Sequence, residues 1–199
     1  MDLNLAGTQH GVDRLRRVLS GRVTEKLEAA PPLLRAGVLV PIFSVKDRPH
    51  ILFTRRTETV LTHKGQISFP GGQHEPGDDT LLQTALREAA EEIGLHPGRV
   101  DVIGELDDAF SAVSGFVVSP YVGHVDGSAD DLRPAPTEVK SVFLAPVDVL
   151  LDPGLHHEQL RTWQGRSHRI HYYTVGDDVI WGLTGWILHQ LLALWRTDP

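Results

Sequence analysis

The chain has 199 residues, 41% of them apolar and 23% charged, a balance that supports a packed core and excludes wholesale disorder. Lys and Arg number 19 against 26 Asp and Glu, and the resulting net charge of −7 excludes a general nucleic-acid binder, because phosphate contacts need a basic surface. With no cysteine, disulfides, thiol nucleophiles and thiolate metal sites are excluded as well.

The first residues, MDLNLAGTQHG, lack a basic stretch followed by an apolar run, and no run of about 18 apolar residues follows. The expectation is a soluble cytoplasmic protein that makes no use of a membrane. Residues 10–28 have helical spacing, with Val12, Leu15, Val18 and Leu19 on one face and Val23 and Leu27 continuing it more loosely. Prolines in AAPPLLRAG then break the pattern, so residues 1–34 read as an N-terminal helical arm and 35–199 as the main domain. The runs 37–45 and 50–56, separated by KDRP, read as a hairpin. QISF at 66–69 is a short strand stopped by Pro70-Gly71-Gly72, and residues 79–94 are helical.

Strands are expected at 100–106, 115–125, 137–145 and 168–175, with a short helix at PVDVLL and a terminal helix at 183–196. In that last helix Trp186, Leu188, Leu191 and Leu192 are expected in the core. His156 and His157 read as loop residues. His168 and His171 are three apart on a strand, so they face opposite ways, and no third zinc ligand is evident. The aromatics Phe110, Phe116, Tyr121 and Trp181 read as core residues, with stacking on a base as the alternative. Ser111 and Ser114 have no nucleophile context. Strands outnumber helices without regular alternation, which indicates an α+β fold with a mixed sheet between helices.

The helix at 79–94 carries LREAAEEIG. Its apolar stripe is Leu82, Leu86, Ala89 and Ile93, and Glu88, Glu91 and Glu92 crowd another sector beside one arginine, Arg87. One arginine does not neutralise three carboxylates. A hard divalent cation does, since Mg²⁺ takes carboxylate, water and phosphate oxygens. The glycine pair Gly71-Gly72 lets backbone approach a ligand, and Asp78 or Asp79 is placed to cap the helix.

The run GQHEPGDDTLLQTALREAAEEIGL, from Gly72 to Leu95, resembles the Nudix box. Its second half, RE-AA-EE-I-G-L, matches fully. The first half has one extra loop residue, and Asp78 stands where glutamate is commoner. Just before it, ILFTRRTETVLTHKGQISFPGG (51–72) resembles the extra signature of the coenzyme A pyrophosphatase subgroup, through Leu52 to Arg56, Leu61, His63 to Gln66, and Phe69 to Gly72. Further echoes in 104–123 and 180–188 extend the resemblance over about residues 36–190.

The resemblance implies a Nudix-type α/β/α sandwich and a hydrolase that uses Mg²⁺ or Mn²⁺ to split coenzyme A into 3′,5′-ADP and 4′-phosphopantetheine. Glu88 and Glu92 would be the main metal ligands, with Glu91 an additional ligand or acting through metal-bound water, and Arg87 would orient the glutamates. An acidic protein binding so anionic a substrate needs local cations, and Arg55, Arg56, His63 and Lys64 precede the Gly71-Gly72 turn. Some Nudix enzymes draw a general base from a distant loop, and Glu138 in PTEVKSV is a candidate beside Glu91. Metal and Arg87 would hold Glu91 ionised, which favours Glu138. Two alternatives stay open: another nucleoside diphosphate derivative, such as ADP-ribose or a nucleotide sugar, and a non-catalytic nucleotide-binding domain. Whether the chain forms a homodimer is also open.

Overall fold

A computed structural model describes residues 8–57, 65–111, 114–163 and 165–197. Helix α1 spans Thr8–Ser20. Strands β1 (Leu34–Val45), β2 (Arg48–Arg56), β3 (Ile67–Ser68) and β4 (Gly71–Gln73) lead into helix α2 (Leu81–Ile93). Strands β5 (Val100–Glu105), β6 (Ala109–Ser111), β7 (Phe116–Val125) and β8 (Val139–Pro146) follow, then the short helix α3 (Val147–Leu150). Strands β9 (His156–Trp163), β10 (Arg166–Val175) and β11 (Asp178–Ile180) precede helix α4 (Gly182–Arg196).

The main sheet has the order β3-β2-β1-β7-β5, with β4 on β1, β6 on β7 and β8 on β2. β1 and β7 are parallel over ten residue pairs, whereas β1–β2 and β5–β7 are antiparallel, so the sheet is mixed. Strands β9, β10 and β11 form a separate antiparallel sheet.

Alternation along β1 sends side chains to both faces. Leu39 and Phe43 pack with Ala85, Ala89 and Ile93 of α2. Val40 and Ile42 pack in the opposite cluster, with Val12 and Leu15 of α1 and Leu188, Leu191 and Trp195 of α4. Helices therefore cover both faces of a mixed sheet, the α/β/α sandwich the sequence implied.

Several local expectations are corrected. Helix α1 stops at Ser20, and Val23, counted on the apolar face, is 96% exposed. The first hairpin turns on Lys46 and Asp47 alone, both at positive φ (49° and 58°), the two-residue turn that suits strand twist. The stretch with His156 and His157 is strand β9, paired in register with β10. Trp186, Phe110 and Trp181 are not core residues: they are 41%, 49% and 44% exposed. Isolated aromatics do not reveal burial, because it depends on which neighbours arrive from elsewhere in the chain.

Candidate active site

Helix α2 begins at Thr80, whose hydroxyl accepts the Gln83 N–H, and ends at Gly94 in the left-handed conformation (φ 69°). Thr80 thus takes the capping role assigned above to Asp78 or Asp79. The face that α2 presses on the sheet also differs from the apolar stripe. Thr84, Ala85, Ala89, Glu92 and Ile93 are buried, whereas Leu82 and Leu86 are partly exposed. Small residues decide this. A Cβ on Gly37 of β1 would stand 2.1 Å from the Leu81 carbonyl oxygen, so the helix backbone lies directly on the strand.

That close approach turns two of the three glutamates inward. The Glu92 side chain is 4% exposed and that of Glu88 16%, against 61% for Glu91. Glu92 accepts the Gly71 N–H at 3.2 Å and meets Arg56 Nη1 at 3.5 Å. A Cβ on Gly72 would fall 2.3 Å from Glu88 Oε1, so this glycine makes room for the carboxylate.

Arg87 is the hub. Its Nε and Nη2 each donate to Asp78 at 3.0 Å, its Nη1 reaches Glu88 at 2.9 Å and Glu91 at 3.1 Å, and Nη2 also donates to the Gln73 carbonyl. The buried Asp78 also accepts from Thr84 Oγ1 at 2.8 Å and from the Glu75 N–H at 3.1 Å. The Arg87 hydrogen bond is the largest of the influences that hold its carboxyl well below the usual range. The sequence left the role of Asp78 open. The structure makes it the anchor of the arginine that touches two of the glutamates.

Burial acts the other way on those glutamates. It raises Glu88 above its ordinary value, with Glu91 and Glu138 adding repulsion against the pull of Arg87. It raises Glu92 to about 7, opposed by Arg56 and Gly71 and reinforced by Glu88 and Glu138. The solvent-exposed Glu138 is therefore close enough for its charge to be felt by both. Buried carboxylate oxygens in excess of their cations are a donor set that fits a hard divalent cation.

A cavity of about 870 Å³ adjoins this cluster. Arg56, Gly71 and Gly72 belong to both, and Gln66, Phe116 and Trp181 are among the other residues that line it. The two arginines of β2 separate here: Arg56 lines the cavity, while Arg55 is ion-paired to Asp178 of β11. His63 and Lys64 lie outside the described residues. The exposed Trp181 and the partly buried Phe116 thus stand where a ligand would meet them.

The family model of the NUDIX domain matches residues 33–165. The chain belongs to the Nudix family. A relative called uncharacterized Nudix hydrolase NudL, from Photorhabdus laumondii, is 37% identical over 173 residues, covering 83% of this chain and 91% of its own. The mitochondrial Nudix hydrolase 15 of Arabidopsis thaliana is 39% identical over 171 residues, again 83% of this chain but 60% of its own length. Among solved structures, a MutT/nudix family protein of Enterococcus faecalis superposes with a TM-score of 0.57 over 94% of this chain and 74% of its own, at 15% identity, a likeness of fold alone. In this Nudix chain, the box glutamates, Arg87 and the glycines that precede them in sequence are brought together in space. Among its described residues, no helix is long and apolar enough to cross a membrane.

Proposed function

We propose that this Nudix hydrolase cleaves the pyrophosphate bond of coenzyme A or a derivative of it, giving 3′,5′-ADP and 4′-phosphopantetheine. The observation that carries the reading is the junction of the carboxylate cluster with the 870 Å³ cavity through Arg56, Gly71 and Gly72. A diphosphate lying at that junction would have room for a nucleotide on one side, with Phe116 and Trp181 available for stacking on adenine. The signature in residues 51–72 supports coenzyme A over other nucleoside diphosphates, and its Arg56 is a cavity residue.

Glu88 and Glu92 would hold Mg²⁺ or Mn²⁺, with Glu91 as a further oxygen donor at the exposed edge. When bound, such an ion neutralises the diphosphate and lowers the pKa of a water. Arg87, fixed by Asp78, keeps Glu88 and Glu91 in place. Arg56 adds positive charge where the substrate's phosphates enter. Glu138 takes the proton from the attacking water. The water oxygen joins one phosphorus, and the bridging oxygen leaves with the other phosphoryl group.

The test is product analysis by chromatography with coenzyme A, ADP-ribose and dinucleoside polyphosphates, each with and without Mg²⁺. Metal-dependent release of 3′,5′-ADP is expected. Faster turnover of ADP-ribose would move the assignment to another nucleoside diphosphate. Absence of turnover with every substrate would indicate a binding domain instead.

A further inference from the structure

Three histidines far apart in sequence meet on the opposite side of the main sheet from α2. His156 lies on β9, His171 on β10 and His189 on α4. One ring nitrogen from each lies within 4.8 Å of the others. The register explains the first pair. His156 is opposite Tyr173, and His171 is two residues from Tyr173, so both rings point to one face of the small sheet. Their Nε2 and Nδ1 atoms are 3.1 Å apart. The third ring comes from a close helix approach. A Cβ on Gly185 would stand 2.4 Å from the His171 carbonyl oxygen, so α4 lies directly on β10 there. His189 is one turn later on the same helix face, and its ring stacks on His171 with centroids 3.8 Å apart.

We propose that His156, His171 and His189 form a site for a divalent transition-metal ion of the zinc class, which pins the β9–β10 hairpin to α4. Imidazole donors suit zinc, copper and nickel, whereas the oxygen donors of α2 suit Mg²⁺ or Mn²⁺, so the chain would sort its metals by donor type. In a tetrahedral zinc site with bonds of about 2.0–2.1 Å, ligand nitrogens lie roughly 3.3 Å apart. The three nitrogens, within 4.8 Å of one another, would close by up to roughly 1.5 Å through rotation of the stacked rings.

Three further observations support metal over a plain stack of rings. The Nε2 of His171, a residue 1% exposed, is buried with no hydrogen-bond partner, so a polar atom in this cluster awaits one. Desolvation, with help from the neighbouring rings, lowers the proton affinity of all three and takes His171 to about 4. All three are then neutral at pH 7, the form that ligates metal. An outer set of partners is also present. The Tyr173 hydroxyl is 3.0 Å from His189 Nδ1, and Glu158, held by Arg169, has an oxygen 3.5 Å from His171 Nδ1. Carboxylates and hydroxyls in such positions orient ligating rings.

The site would bear on the cavity, because residues 181–184 and Ile187 at the start of α4 line it. It also has a built-in reporter: Trp186 lies 5.5 Å from the His171 ring and 6.3 Å from that of His189, centroid to centroid.

The experiment uses the full chain, stripped with chelator, as wild type and as the double variant Glu88→Gln/Glu92→Gln. Zinc binding is followed by calorimetry, and Co²⁺ binding by its visible spectrum and by quenching of tryptophan fluorescence. The double variant should retain one equivalent of Zn²⁺ that excess Mg²⁺ does not displace, and a Co²⁺ spectrum of tetrahedral type. His189→Ala and His156→Gln in that background should each weaken zinc about 100-fold or more, and Tyr173→Phe about 10- to 100-fold. Retention of full zinc affinity in either folded histidine variant would overturn the proposal. So would failure of the double variant to bind Zn²⁺ at all, a result that needs no histidine substitution. The outcome is independent of which nucleotide the enzyme hydrolyses.

Discussion

Arg87 grips Asp78 with two nitrogens, each 3.0 Å from a different carboxylate oxygen, and the Asp78 side chain is 3% exposed. This two-pronged contact fixes the guanidinium that also reaches Glu88 and Glu91. Asp78→Asn keeps the shape but removes the charge, and should cost roughly 1.5–3 kcal/mol of stability. Turnover should fall as well, because Arg87 loses its anchor. The depressed Asp78 carboxyl stabilises the fold fully above the ordinary carboxylate range, and the contribution disappears only as pH falls through its lower folded value. Urea unfolding at pH 7 checks this. An unchanged midpoint would show that the clamp contributes nothing.

Gly37 and Gly72 both sit against α2, but with different neighbours. A Cβ on Gly72 meets the movable end of Glu88, whereas one on Gly37 meets helix backbone. Gly72→Ala should therefore fold with near-normal stability and lose most activity by displacing Glu88. Gly37→Ala should lower the melting temperature sharply, because the helix has to lift from the strand. Equal losses of stability in the two variants would contradict this division.

Glu92 gives a pH signature in the metal-free protein. Burial raises its pKa from the ordinary 4.5 to about 7. The native state then holds the proton more tightly than the unfolded state, so stability falls as pH rises from about 4.5 to 7 and stays low above that. The shift corresponds to roughly 3 kcal/mol. In chelator, Glu92→Gln should remove this dependence and be more stable than wild type at pH 8. In Mg²⁺ the same variant should lose turnover by several orders of magnitude. Normal turnover of Glu92→Gln would exclude it as a metal ligand.

The two arginines of β2 should separate in kinetics. Arg56 lines the cavity, and Arg55 is committed to Asp178. If Arg56 holds the 3′-phosphate, its removal should reduce the preference for coenzyme A over dephospho-coenzyme A by about 10- to 150-fold. Arg55→Ala should leave that preference intact. Should wild type hydrolyse both substrates equally well, Arg56 serves another phosphate.

Glu91 and Glu138 compete as the base. Glu91 is tied to Arg87 at 3.1 Å, whereas Glu138 is exposed and its charge is felt by Glu88 and Glu92. Glu138→Gln should slow the chemical step with Mg²⁺ affinity unchanged, and Glu91→Gln should raise the Mg²⁺ requirement. Wild-type turnover and pH profile in Glu138→Gln would pass the role to Glu91 or to a metal-bound hydroxide.

Much of this protein was legible in sequence because its signals are local. The β-branched and aromatic runs of β1 and β2, the helical period in α2 and α4, and the spacing of Glu88, Glu91 and Glu92 all lie within short windows. So do the glycines that precede them. What the tertiary structure decided depends on how close two backbones come. Hydrophobic periodicity put Leu82 and Leu86 toward the core, but contact at Gly37 turned the small face of α2 inward and buried Glu92 with it. The same limit hid Asp78, whose partner Arg87 lies nine residues on, and separated Arg55 from Arg56 only once β11 brought Asp178 alongside. It also hid the histidine cluster. His156, His171 and His189 are separated by 15 and 18 residues, and no local pattern joins them. A strand register and the glycine-permitted approach of α4 to β10 do, because only packing brings distant side chains within bonding distance.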